Sequence, residues 1–159
     1  MLELFLLRHG KAEPARIGQR DHERPLAERG RMEAHRQGLA FPCKASDALV
    51  VSDAVRTQQT LQSLLDAWDS APPHHITPTG YLADADTWVD LIGMTDASTK
   101  RLWVVGHNPG ISDLVLQLTG DRIGMSTADV VHIELEVANW SGVGKGSGHL
   151  KGHHPGRNA

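Results

Sequence analysis

A single cysteine, Cys43, stands in a chain of 159 residues, which excludes an internal disulfide framework and suits a reducing compartment. It has no Cys-x-x-Cys partner and reads as a small packing residue. Neither sign of charge dominates. Sixteen Lys and Arg against nineteen Asp and Glu leave a formal −3, so no basic surface is on offer to nucleic acid or to a membrane. No apolar run approaches the ~20 residues of a transmembrane helix. The apolar segment Leu2–Leu7 is too short for a signal peptide and lacks a basic flank. The expectation is one cytoplasmic domain spanning residues 1–159, monomeric, with no nucleic-acid or membrane partner.

What is abundant is histidine, with ten in all. His74-His75 and the group His149, His153 and His154 are the candidates for a metal. Adjacent histidines do not face one ligand position on regular structure, and no His-Glu-x-x-His or Cys/His quartet occurs. No metal site and no cofactor are expected.

Strands and helices alternate. Leu2–Leu7 reads as a buried strand, followed by a charged loop over 11–24. A helix opens at Pro25-Leu26-Ala27 and runs to about Ala40, where Phe41-Pro42 ends it. Asp47–Val51 is a second strand. Ser52-Asp53 supplies an N-cap for a helix over Val55–Trp68, whose Leu61, Leu64, Leu65 and Trp68 make one apolar stripe. His75-Ile76-Thr77 is a short strand, and Asp86-Thr87 caps a helix carrying Trp88, Leu91 and Ile92. Leu102–Val105 reads as a central parallel strand. A helix follows over Ile111–Leu118, closed by Gly120. Val130–Val137 alternates as an edge or half-exposed strand, and 139–159 is a Gly/His-rich hairpin or tail. This order predicts a three-layer α/β/α sandwich around a mainly parallel, mixed sheet.

Three of these strands end in similar sequence. The first ends at Arg8-His9-Gly10, the second at Ser52-Asp53-Ala54-Val55-Arg56 and the central one at Gly106-His107-Asn108. Parallel neighbours share one carboxyl edge, where open α/β sheets bind ligands. Gly10 is expected to permit a sharp turn and a close ligand. A neutral imidazole beside guanidinium forks is suited to phosphoryl transfer, because the ring attacks phosphorus while the arginines spread positive charge over its oxygens. Each residue alone has an ordinary reading. Arg-His-Gly could be a surface turn, Arg56 a solvated helix residue, His107 a core histidine satisfied by backbone. The threefold repetition of the placement weighs against all of these. An arginine in the first turn of a helix also opposes the helix dipole and wants a reason.

Arg8-His9-Gly10, Ser52-x-x-x-Arg56-x-x-Gln59-Thr60 and Val105-Gly106-His107-Asn108-Pro109, in this order, resemble the histidine phosphatase superfamily. Their spacing is similar to that of its short, SixA-like phosphohistidine phosphatases, over Met1 to about Val137. Arg24-Pro25-Leu26 followed by Glu28-Arg29-Gly30 is a fourth match. Ala27 departs from a common threonine and Asp53 from a common proline. The resemblance implies a phosphoglycerate mutase-like fold. It implies His9 as the nucleophile that becomes phosphorylated, Arg8 and Arg56 as the phosphate clamp, with Arg24 a weaker third, and His107 as a donor to a phosphoryl oxygen. It implies no metal. Family members often carry a carboxylate after the second arginine as a general acid. Asp84 is the candidate here, while Asp86 reads as a helix cap.

Only 51 positions separate Arg56 from His107, and the elements between them leave no material for a lid. An open crevice suits a phosphoryl group presented on a protein surface, so the expected partner is a phosphohistidine-bearing protein, such as a phosphotransfer protein. The alternatives are a small-molecule phosphomonoesterase or mutase of the same superfamily, and a non-catalytic phosphate-binding module.

Overall fold

A computed structural model describes residues 1–158. Six strands, β1 (Leu2–Arg8), β2 (Asp47–Ser52), β3 (His74–Thr77), β4 (Arg101–Gly106), β5 (Val130–Leu135) and β6 (Gly148–His154), form one sheet in the order β3-β2-β4-β1-β5-β6. The first four in that order pair in parallel, and β5 runs antiparallel to both of its neighbours. Four helices cover the sheet: α1 (Glu28–Ala40), α2 (Val55–Trp68), α3 (Ala85–Gly93) and α4 (Gly110–Thr119).

The central strands β1, β2 and β4 are apolar along most of their length because both of their faces are covered. Successive side chains divide between two cores. Leu4, Leu6, Val50, Leu102 and Val104 pack with Trp88 and Ile92 of α3 and Leu114 of α4. Phe5, Leu7, Leu49, Val51, Trp103 and Val105 meet Leu61 and Leu64 of α2, against which α1 lies. The expected α/β/α sandwich with a mixed, mainly parallel sheet is the fold observed.

Several local expectations are corrected. Helix α1 starts at Glu28, because Pro25 to Ala27 are extended and tied to the strand-end loop: Glu13 N donates to Pro25 O, and Ala27 N to Lys11 O. Helix α2 has Ala54, not Ser52 or Asp53, at its N-cap, with no side-chain cap bond. Helix α3 is capped by Asp84, whose carboxylate accepts from Thr87 N at 2.9 Å; Asp86 lies in the first turn instead. β5 is an interior strand, since the Gly/His-rich segment returns as β6 and takes the edge. Its alternating pattern survives because His132 and Glu134 remain half exposed on one face. Gly10 has no left-handed backbone. Its missing side chain makes room for α1, because a Cβ there would come within 2.6 Å of Gly30 O.

Candidate active site

Register places the chemistry. Arg8 at the end of β1 is opposite Gly106 at the end of β4, and Val51 of β2 is opposite Val105. Three strand ends therefore open on one edge of the sheet. The cleft there holds about 250 Å³ and is lined by Arg8, His9, Arg24, Arg56 and His107. Among the described residues Lys11, Leu82, Asn108 and Thr127 contribute further wall.

His9 is buried, and its Nδ1 lies 2.8 Å from Gly10 O. A carbonyl can only accept, so Nδ1 carries the hydrogen and Nε2 keeps its lone pair. Arg56 Nε points at that nitrogen from 3.4 Å. Burial, with Arg56, Arg8 and Arg24 adding repulsion, pushes His9 down to about 4, so the ring is neutral near pH 7. His107 stands beside it, ring centres 5.2 Å apart, and burial with His9 and Arg56 nearby takes it down to about 3.

Ser52 Oγ lies 2.7 Å from His107 Nε2 and also accepts from Ala54 N at 3.3 Å. Donating its own hydrogen to Nε2 gives the hydroxyl a partner for every polar group and leaves the ring hydrogen on Nδ1. That Nδ1 is buried with no partner among the described residues, as is Arg8 Nε. A buried donor without an acceptor is costly, and a phosphoryl oxygen would satisfy it. Arg8 is braced through Nη1 to Met125 O at 2.9 Å.

Arg56 is almost wholly buried and held by a residue that motif reading missed, Asp21. Arg56 Nη1 donates to Asp21 O at 2.8 Å and Nη2 to Asp21 Oδ2 at 3.0 Å. The same carboxylate accepts from Tyr81 Oη at 2.5 Å and from Arg24 Nη1 at 3.0 Å. These donors, Tyr81 first and then Arg24 and Arg56, hold the Asp21 carboxyl well below the usual carboxylate range. Arg56 in a first helical turn thus has its counter-charge. His22, next along, ties the loop to the β2–α2 connection through Asp53 at 2.8 Å. A carboxylate three positions before Arg24 was the available signal, but nothing in a polar loop says which helix it will meet.

The structure brings Arg8, His9, Arg56 and His107 together. Arg24 lines the same cleft from the loop, with Nε on Glu13 O at 2.9 Å. Asp84 is not among the lining residues; it is exposed and spends its carboxylate on the α3 cap. The candidate general acid thus has its carboxylate engaged in the helix cap. Among the described residues no cluster of three His, Cys, Asp or Glu is placed to hold a metal ion, and no helix is long and apolar enough to cross a membrane.

Comparison with known proteins identifies the family and the fold. The profile of the histidine phosphatase superfamily (branch 1) matches residues 4–103. A Mycobacterium tuberculosis protein with no assigned function is 37% identical over 116 residues, covering 70% of this chain and 69% of the relative. The phosphohistidine phosphatase SixA homolog of Haemophilus influenzae is 26% identical over 134 residues, 76% of this chain and 79% of that protein. A solved chain from Nakamurella multipartitia, assigned provisionally as phosphohistidine phosphatase SixA, superposes with a TM-score of 0.82 at 25% identity, covering 97% of this chain and 96% of that one.

Proposed function

This chain belongs to branch 1 of the histidine phosphatase superfamily and has its phosphoglycerate mutase-like fold, and from that premise we propose that it removes phosphate from phosphohistidine on a protein. The observation that carries the reading is the state of His9. Its Nδ1 hydrogen is committed to Gly10 O, its ring is neutral, and Nε2 faces a guanidinium within a cleft of unpaired donors.

The reaction has two steps. His9 Nε2 attacks phosphorus, the bond from phosphorus to the substrate's imidazole nitrogen breaks, and the imidazole leaves with a proton from solvent. Water then attacks the phosphorus on His9, and inorganic phosphate departs as Nε2 recovers its lone pair. Arg8, Arg56 and His107 donate to the three phosphoryl oxygens as charge builds, and Arg24 adds positive potential from the rim. The guanidinium groups supply the charge that a divalent ion supplies in kinases. An imidazole leaving group needs less protonation than an alkoxide, which suits a cleft whose nearest candidate acid is engaged elsewhere. The phosphohistidine phosphatase SixA homolog among the relatives supports the substrate class.

The test is a rapid acid-free quench with 32P-labelled phosphohistidine peptide, followed by mapping of the label. Label on His9, absent in His9→Ala and formed equally with a chelator present, is the expected result. A sugar phosphate turned over orders of magnitude faster than any phosphohistidine protein would favour the small-molecule phosphomonoesterase instead. Phosphate binding without turnover of either would leave only a binding module.

A further inference from the structure

The turn between β3 and α3 carries a leucine that neither backbone preference nor core packing explains. Leu82 has a φ of +50°, the left-handed region that glycine and asparagine occupy with least cost. The residue is 56% exposed, so folding gains little from burying it. Yet it lines the catalytic cleft, where it is the one large aliphatic side chain among the described lining residues.

Its neighbours keep it there. Tyr81 Oη is anchored on Asp21, and Tyr81 N donates to Pro78 O at 3.1 Å. On the other side Ala83 is buried, with its N–H directed to Gly80 O at 3.3 Å. The Ala83 carbonyl packs so closely on Gly110 that a Cβ at that glycine would collide with it. Asp84 then caps α3. With both flanks fixed, the residue between them is turned outward to the mouth of the cleft.

We propose that Leu82 is a specificity-determining wall of the cleft, packing against the flat body of the group that carries the phosphate. The cationic floor grips any phosphoryl group, so it cannot distinguish one carrier from another. The wall can, because a ring face loses nothing against an aliphatic side chain, whereas sugar hydroxyls placed there are stripped of water with no acceptor or donor in return. The site thereby favours phosphoryl groups on imidazole or aryl rings over those on hydroxyl-rich carriers. This inference rests on the phosphatase reading above for its substrate and deepens it.

Calorimetric titration with phenylphosphonate and 2-hydroxyethylphosphonate, neither of which can be hydrolysed, reads the wall without turnover. The wild-type protein should bind phenylphosphonate more tightly, by about tenfold, the low end for one apolar contact. In Leu82→Asn and Leu82→Gly, both suited to the left-handed backbone and so expected to melt close to wild type, that preference should fall below about twofold. Wild type binding the two compounds alike, or neither, overturns the proposal, as does a preference that persists in both variants. A ring preference lost in both variants, in a protein that forms no phosphohistidine at His9, would leave the wall standing and refute the phosphatase reading.

Discussion

Ser52 Oγ and His107 Nε2 are joined by a 2.7 Å hydrogen bond beneath the cleft, and this contact decides which nitrogen of His107 presents a hydrogen to the phosphate. Both residues are buried, so water cannot compete for the bond. The hydroxyl, already accepting from Ala54 N, gives its hydrogen to Nε2 and leaves Nδ1 as the donor. Replacing Ser52 by alanine frees the ring to hold its hydrogen on either nitrogen. The expected outcome is a loss of about tenfold in kcat for Ser52→Ala, the scale typical of groups that orient another side chain. The far-UV spectrum and His9 labelling at long times should persist. Full turnover in Ser52→Ala would refute the assignment.

Asp21 couples both loop and helix arginines to one carboxylate. Asp21→Ala should release Arg24 and Arg56 to alternative rotamers while leaving the nucleophile intact. A rise in KM of about tenfold or more, with a smaller change in kcat, is the expected signature of a clamp that has lost its bracing. Steady-state kinetics with a phosphohistidine peptide would show it, and an unchanged KM would contradict it.

Acid should weaken the fold through the two site histidines. Native His9 titrates at about 4 and His107 at about 3, against 6.5 for the free side chain, so between those limits the unfolded chain binds protons that the native chain refuses. Stability therefore falls as pH drops from about 6.5 towards 4, and each pH unit costs up to about 1.4 kcal/mol per histidine. Asp21 acts further down. Its carboxyl is held below the ordinary 3.8, so its contribution is present above that value and lost beneath it. Denaturant midpoints at pH 7, 5.5 and 4.5 should decline for wild type and decline less for His9→Gln. Equal slopes in the two proteins would show that His9 is not held neutral. Over the same window kcat/KM should change little on account of His9, because the ring stays unprotonated down to about 4.

Asp84 has a structural task at the start of α3 that substitution can separate from chemistry. As a helix cap accepting from Thr87 N, it should affect stability and not chemistry. Asp84→Ala is expected to lower the melting temperature by about 2–5 °C, and Asp84→Asn, a comparable cap, by much less. Turnover of phosphohistidine peptide should stay within about twofold of wild type in both. A large loss of kcat in Asp84→Asn would restore the carboxylate to the reaction.

The local signals that the sequence carries are of two kinds. Apolar runs and stripes such as Leu4–Leu7, Val50-Val51 and Leu61/Leu64/Leu65 determine strand and helix, because side-chain direction repeats at 2 and 3.6 residues. Strand ends determine the catalytic edge: once β1, β2 and β4 are parallel neighbours, Arg8, His9, Arg56 and His107 must meet. The capping residues were less legible, since Ser52, Asp53, Asp84 and Asp86 all carry capping side chains and only the backbone angle at each position selects among them. The interior place of β5 was hidden because its polar face reads as an edge until β6 arrives beside it. Tertiary structure alone decided that Asp21 would brace Arg56, 35 residues away, that Ser52 would orient His107, 55 away, and that Leu82 would be turned into the cleft. Those contacts join side chains from separate loops, strand ends and helices. No periodicity links such positions: the Ser52–His107 contact depends on β2 and β4 lying side by side in the sheet, and the Asp21 and Leu82 placements on how the loops fold over its edge.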